Sequence, residues 1–334
     1  METKPIAEQS TQVPNNGLIF MDSVEPQEVQ WLWYPYIPLG KVTILMGDPG
    51  EGKSTLALNI AAAVSRGLAF PDMHTAVTAP DYVIYQNAED GLADTIRPRL
   101  DKAHADTGMI MCLNELKRDV SFMSADLYEV ISKMKPKLVV LDPLQAYLGA
   151  NVDMHRANEI RPVMHYLSVI AENFGCAIVL IGHMNKKADM KSSYRALGSI
   201  DLTAAARSVL VVARDPKAPE HRVIAQVKNS LAPEGELVSF TLDEDSGFCF
   251  EGPYDITVEK LLQGGENSRP RNRACELLMS WLTQHKRLPA DEIYRLADSE
   301  GIAKSTLHRA KWQLPIQSVR VNDRWFWELN PPRK

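Results

Sequence analysis

The chain has 334 residues, 45% apolar and 24% charged, with a net charge of −5. That is the balance of a globular protein, long enough for one large domain and a small one. No stretch of eighteen apolar residues occurs, so no membrane span is expected. The four cysteines, Cys112, Cys176, Cys249 and Cys275, form no Cys-x-x-Cys pair. Zinc ligation and a disulfide framework are therefore not expected, and a reducing cytoplasm suits the chain.

In chain order, residues 1–17 are polar and lack the apolar core of a secretory signal, and residues 1–26 read as a disordered leader. Short apolar runs then predict strands at Val42–Met46, Tyr82–Gln86, Lys137–Asp142, Ala177–Gly182, Ser208–Ala213 and Val223–Val227. Helical stretches separate the first five, at Ser54–Arg66, Leu92–His104, Ala125–Met134 and His155–Asn173. Strand and helix in alternation imply an α/β domain with a mainly parallel sheet over 27–256. Glu236–Leu242 and Gly247–Glu251 flank Asp245-Ser246 and predict an antiparallel hairpin at the sheet edge. Residues 257–271, rich in Gly, Asn, Ser and Pro toward their end, read as a linker to a domain at 272–334.

The strongest motif is Gly47-Asp48-Pro49-Gly50-Glu51-Gly52-Lys53-Ser54-Thr55, between a β-branched strand and an Ala/Leu-rich helix. This is the pattern of a phosphate-binding loop. Glycines permit positive φ and let backbone N–H groups approach phosphate oxygens. The helix that follows adds its positive N-terminal end. Lys53 is suited to the β- and γ-phosphates and the Ser54 hydroxyl to Mg²⁺. Asp142 ends an apolar strand, at the sheet edge where ligands bind, and is the second candidate for the metal shell. Glu89 and Asp90 end the preceding strand run, and a carboxylate there is placed to orient an attacking water. Glu89 is the preferred residue and Asp90 the alternative, since Asp90 also suits a helix cap.

Several motifs occur together: Trp31-Leu32-Trp33 with Ile37-Pro38-Leu39-Gly40-Lys41, the phosphate loop, Asn87-Ala88-Glu89-Asp90-Gly91 with Ile96-Arg97-Pro98-Arg99-Leu100, Leu138–Leu144, and Ile181-Gly182-His183-Met184-Asn185-Lys186. As a set they resemble the RepA-like ATPases of plasmids and phages, RecA-fold proteins related to the DnaB-type hexameric helicases. The resemblance spans about residues 30–250. It implies ATP as the nucleotide, Glu89 as the catalytic carboxylate and His183 as a γ-phosphate sensor, with Asn185 close behind. It implies that Arg207 or Lys228 reaches a neighbouring subunit's nucleotide in a ring, a hexamer in the relatives. Here Ser230 stands where an arginine follows the lysine in that family. The resemblance also implies two channel loops, Gln145–Ala157 and Lys186–Leu197. The second carries Lys186, Lys187, Lys191 and Arg195, suited to the phosphates of single-stranded DNA.

From Ser268 onward the chain holds 13 Lys and Arg against 7 Asp and Glu, a surplus of six positive charges on an otherwise acidic body. Such a balance suits an anionic partner. Helical spacing over Ala274–Gln284, a helix opened by Pro289 and a third over Lys304–Gln313 precede strands at Gln317–Val321 and Trp325–Leu329. This is the order of a winged helix-turn-helix domain, with Lys304, His308 and Arg309 as its DNA-facing candidates alongside Ser305 and Thr306. Such modules also bind proteins, so duplex DNA and a protein both stand as partners for the tail. The expectation is a DNA-dependent ATPase, a ring-forming helicase of a plasmid, phage or mobile element. The alternatives are an ATP-gated DNA-binding regulator and a recombinase-like ATPase that does not unwind.

Overall fold

The computed structural model describes residues 19–70, 79–114, 121–148, 152, 156–183, 200–243, 247–267 and 270–330. Most of the leader lies outside these residues. So do Asn185 and all four cationic residues of the second channel loop, Lys186, Lys187, Lys191 and Arg195.

In chain order the elements begin with β1 (Trp31–Trp33), β2 (Ile37–Pro38), β3 (Val42–Gly47), α1 (Lys53–Arg66), β4 (Val83–Asn87), α2 (Arg97–Lys102) and β5 (Ile110–Met111). Next come α3 (Ala125–Met134), β6 (Leu138–Asp142), α4 (Ala157–Phe174), β7 (Ala177–His183), α5 (Ile200–Ala205), β8 (Ser208–Arg214), β9 (His221–Asn229), β10 (Val238–Asp243) and β11 (Gly247–Pro253). The last are α6 (Val258–Asn267), α7 (Pro270–His285), β12 (Arg287–Pro289), α8 (Ala290–Ser299), α9 (Lys304–Gln313), β13 (Ile316–Val321) and β14 (Arg324–Leu329).

Nine strands form the central sheet in the order β11-β10-β9-β8-β3-β7-β6-β4-β5. The strands from β8 through β3 to β5 run parallel, and β9, β10 and β11 add antiparallel pairs. The parallel strands are largely apolar because helices cover both faces, with polar residues mostly toward their ends. On one face Val42, Ile44, Met46, Val139, Leu141, Ile178 and Leu180 pack with α3 and α4. On the other Leu45, Val140, Val179 and Ile181 pack with Leu56, Leu58, Ile60 and Val64 of α1. The period-two side-chain alternation of a strand produces this division. Trp33 is fully buried between Tyr36, Phe70 and Phe250, which ties the first segment to the core.

The six core strands lie where the apolar runs predict them, within two residues at each end. The edge hairpin is also present, as β10 paired with β11. Three local expectations need correction. The helix expected over Leu92–His104 divides into a π turn at Leu92–Ile96 and α2. Pro98 accounts for the break: it has no N–H for the bond to the preceding turn, and it stands in the first turn of α2, where that bond is not needed. The first channel loop does not begin as an open loop. Leu144–Tyr147 is a 3-10 turn, and Leu144, Tyr147 and Leu148 are core residues. The segment read as a linker holds α6, whose buried Leu261 packs on Val223 and Ala225 of β9.

Near the C-terminal end, α7, α8 and α9 surround a core with Leu278, Leu282, Ile293, Leu307, Ala310 and Trp327. A three-stranded antiparallel sheet, β12-β14-β13, closes it. Asn322 and Asp323 both take positive φ at the β13–β14 turn, as a tight hairpin requires.

Candidate active site

The site stands at the C-terminal edge of the parallel strands. β3 ends at Gly47, and the loop that follows turns through Gly50 (φ 83°) and Gly52 (φ 90°) into α1. Left-handed backbone at both positions favours glycine. Gly47 is required for a different reason. A Cβ there would lie 2.4 Å from the Val212 carbonyl oxygen, which is backbone and has little room to yield.

Lys53 is only 5% exposed. Its Nζ donates to the carbonyls of Gly47 and Asp48, each at 2.9 Å. Burial lowers its pKa, and the carboxylates of Asp142, Asp48, Glu51 and Glu89 oppose that shift. Four acids therefore share the field of one buried ammonium. Ser54 and Thr55 follow in the first turn of α1, both half-buried.

Asp142, 3% exposed, is the last residue of β6 and the register partner of Asn87 at the end of β4. Its Oδ2 accepts from the Tyr85 hydroxyl at 3.1 Å and from Asn87 Nδ2 at 3.3 Å. Burial first, then Asp142, raises the Tyr85 pKa well above its usual value, so the phenol keeps its proton and donates. Asn87 has a second task. Its Oδ1 accepts from the backbone N–H groups of Glu89 (2.9 Å) and Asp90 (2.6 Å), fixing the turn that carries both acids. The two acids then differ. Asp90 pairs with Arg99 at 3.0 Å, whereas Glu89 is exposed and within the field of Lys53. Sequence reasoning did not single out Tyr85 or Asn87. The signal was present, since both lie on the strand run ending in the acids, but their pairing with Asp142 comes from sheet order.

His183 ends β7 as the register partner of Gly47. It is half-buried, and its Nδ1 is buried without a hydrogen-bond partner among the described residues. The phosphate loop, Asp142, Glu89 and His183 are thus gathered at one sheet edge, with α1 rising from it.

Arg207 and Lys228 lie at the other end of the sheet. Arg207 N–H bonds to the Val42 carbonyl at the start of β3, and Lys228 is the register partner of Val209. At the rise of an extended strand this is about 10 Å or more from the loop. Neither reaches the loop of its own chain. Lys228 Nζ donates to the Thr203 and Ala204 carbonyls at 2.9 and 2.7 Å, capping the end of α5. Burial, with Arg207 adding, lowers its pKa. Arg207 is exposed.

Two arginines absent from the sequence expectations do stand beside the loop. Arg214 ends β8 and is the register partner of Arg222 on β9. Arg214 Nη2 donates to the Gly50 carbonyl at 2.8 Å, and its Nε lies 3.7 Å from Glu51 Oε2. Arg222 backs the loop at Gly52, where an added Cβ would be 3.1 Å from Arg222 Cδ and from Leu242 Cδ1.

In the C-terminal module, helix α9 sorts its polar residues between two faces. Lys304 Nζ sits 5.6 Å over the Tyr294 ring. His308 Nε2 is 3.1 Å from the Tyr294 hydroxyl, and its ring lies against Trp327. These two expected DNA-facing residues are engaged by α8 and β14. Arg309 instead shares the outward face with Ser305 and with Trp312, which is 88% exposed. Trp312 was not among the sequence candidates.

Among the described residues no helix is long and apolar enough to cross a membrane. Comparison with curated proteins finds DNA repair protein RadA of Bacillus subtilis, 22% identical over 231 residues, which are 69% of this chain and 45% of that protein. RadA of Mycobacterium tuberculosis (strain H37Rv) is 28% identical over 152 residues, 44% of this chain and 28% of the relative. The chain spans less than half the length of these relatives. Among solved structures, the ATPase domain of G40P matches with a TM-score of 0.48 and 17% identity, over 64% of this chain and 85% of that one. A KaiC-like protein from Pyrococcus horikoshii OT3 matches with a TM-score of 0.44 and 18% identity, over 64% of this chain and 91% of that one. The model of the AAA domain matches residues 8–189, more than half of the sequence and the whole span from the phosphate loop to the end of β7. The chain belongs to the AAA-domain family, with a RecA-fold P-loop ATPase core.

Proposed function

We propose that this protein hydrolyses ATP and couples hydrolysis to single-stranded DNA as a ring-forming motor. The observation that carries the reading is the convergence of Lys53, Asp142, Glu89 and His183 at the ends of four adjacent parallel strands. Lys53 and the loop amides bind the β- and γ-phosphates. Ser54 and Asp142 would hold Mg²⁺, which when bound neutralises charge on the phosphate oxygens. The residues fit the ion. Tyr85 and Asn87 both bond to Asp142 Oδ2, so the carboxylate is held in one orientation with Oδ1 left to face a cation. Glu89, on the turn fixed by Asn87, accepts the proton of the water that attacks the γ-phosphorus, and ADP leaves. His183 senses the γ-phosphate and passes its loss to Lys186, Lys187, Lys191 and Arg195, the DNA-contacting residues of the following loop.

Arg207 is the better trans-acting cation in a hexamer. It is exposed and cannot reach its own site, whereas Lys228 is held by α5. Support for a DNA-directed role comes from relatives named DNA repair proteins and from the basic C-terminal module. We read that module, residues 272–334, as a winged helix-turn-helix domain. The exposed Ser305–Arg309–Trp312 face also supports a second reading, an ATP-gated regulator that holds duplex DNA through this module without unwinding.

The test is ATP hydrolysis by the full chain with and without single-stranded DNA, beside Lys53→Ala. Stimulation that Lys53→Ala abolishes supports the motor. Hydrolysis indifferent to single strands, with tight duplex binding, replaces it with the regulator.

A further inference from the structure

Glu51 is an unfavourable residue in a phosphate loop. It stands directly before Gly52, where a triphosphate is expected, and its carboxylate adds negative charge to an anion site. Burial raises its pKa and Asp48 adds to this, while Arg214 and Arg222 oppose it. Among the described residues the buried Oε2 accepts no well-formed hydrogen bond, the Arg214 Nε at 3.7 Å is an ion-pair contact, and the Arg214 backbone N–H also favours the charged carboxylate.

The same arginine also acts on the backbone. Arg214 Nη2 donates to the Gly50 carbonyl at 2.8 Å. The peptide unit is planar and trans, so its C=O and N–H point to opposite sides. With the Gly50 carbonyl drawn toward β8, the Glu51 N–H is turned back across the loop. There it lies 3.4 Å from the Asp48 carbonyl, a long contact that an incoming phosphate oxygen can replace. Gly50 has φ 83° and no side chain to resist rotation, so the loop alone does not fix this peptide. The guanidinium is placed by its contacts with the Gly50 carbonyl and Glu51, at the end of β8 where Arg214 is in register with Arg222, whose side chain stands beside Gly52.

We propose that Arg214 is a positioning residue of the phosphate loop, supplied by the loop's own chain: it turns the Glu51 N–H toward the bound phosphates and neutralises the Glu51 carboxylate. This rests on the nucleotide-binding reading above. It places a cation on the β8 side of the loop, distinct from any arginine donated by a neighbour. Its ligand is the polyphosphate of a nucleoside di- or triphosphate, which it serves without touching.

The experiment measures binding of fluorescent ADP and ATP to the full chain, with steady-state hydrolysis alongside. Arg214→Gln removes one charge-assisted hydrogen bond and the compensating charge, and is expected to weaken both nucleotides about tenfold or more. KM should rise by the same factor while kcat changes less than about threefold, because the residue acts on binding in ground and transition states alike. Arg214→Lys keeps the charge without the fork, and should fall between wild type and Arg214→Gln. Glu51→Gln combined with Arg214→Gln should recover only part of the affinity, since the peptide stays unanchored.

Unchanged affinity in Arg214→Gln would overturn the proposal. Full recovery in the double variant would overturn the peptide-orienting role. If Arg214→Gln melts at lower temperature without nucleotide, Arg214→Lys decides: wild-type affinity in a stably folded lysine variant overturns the need for the fork. Wild-type protein that binds neither nucleotide, like Lys53→Ala, would overturn the phosphate-loop reading itself.

Discussion

The two halves of the central sheet meet the phosphate loop differently. On the parallel side, β7, β6 and β4 all end at the same edge, so their terminal residues, His183, Asp142 and Asn87, line up beside Gly47. On the antiparallel side, the edge is made by the end of β8 and the start of β9, which delivers Arg214 and Arg222 as a cross-strand pair. Acids and their orienting groups stand on one flank of β3 and guanidinium groups on the other. Parallel topology assembles a site from strand ends, and antiparallel topology assembles it from register.

The sharpest way to break this comparison is at the strand between the halves. Gly47→Ala puts a methyl group 2.4 Å from the Val212 carbonyl of β8. It is expected to cost about 1–3 kcal/mol of stability or more and to abolish nucleotide binding, as read by thermal unfolding and titration. Wild-type binding by a folded Gly47→Ala protein would show that β3 and β8 separate freely at this edge.

On the parallel flank, Asn87→Ala removes the donor to Asp142 and the acceptor of the Glu89 and Asp90 amides together. Hydrolysis should fall about 10–100-fold, the range for loss of a supporting partner at a metal site. Nucleotide affinity should change far less. Equal loss of both would mean that Asn87 supports the loop itself.

Lys228→Met tests the end of the sheet away from the loop. Removing the cap from two α5 carbonyls is expected to cost about 1–2 kcal/mol with nucleotide affinity unchanged. A large loss of hydrolysis without loss of stability would make Lys228 the trans-acting cation and displace Arg207. The smallest effect on stability is expected at Trp312→Ala, within about 0.5 kcal/mol for an exposed position. Duplex DNA binding by the full chain should nevertheless weaken about fivefold or more, the loss of roughly 1 kcal/mol or more expected when an aromatic anchor is truncated at an interface. Unchanged binding would move the partner of the C-terminal module to another face.

The same contrast explains what the sequence discloses. The parallel strands are buried on both faces and therefore appear as apolar runs, and a residue that ends such a run is marked as a site candidate. Asp142 and the Glu89–Asp90 pair are legible in this way, as is the phosphate loop. The Arg214 contact with Gly50 joins residues 164 positions apart and follows only from the order β9-β8-β3. Tyr85 faces Asp142 for a similar reason, through the pairing of β4 with β6. In the C-terminal module, helical periodicity identifies the core residues Leu307 and Ala310. It does not divide the polar residues, because Lys304 and His308 turn toward Tyr294 on another helix. The α6 segment was missed because Gly264 and Gly265 signal a break, while its helix is secured by Leu261 on β9.

Lys53 is bonded to the carbonyls of Gly47 and Asp48, so the loop is its own first guest. On the nucleotide-binding reading proposed above, a phosphate meets an ammonium that already has two backbone acceptors and keeps a third N–H donor to offer. The buried charge is therefore not left unpaired by the loop that carries it.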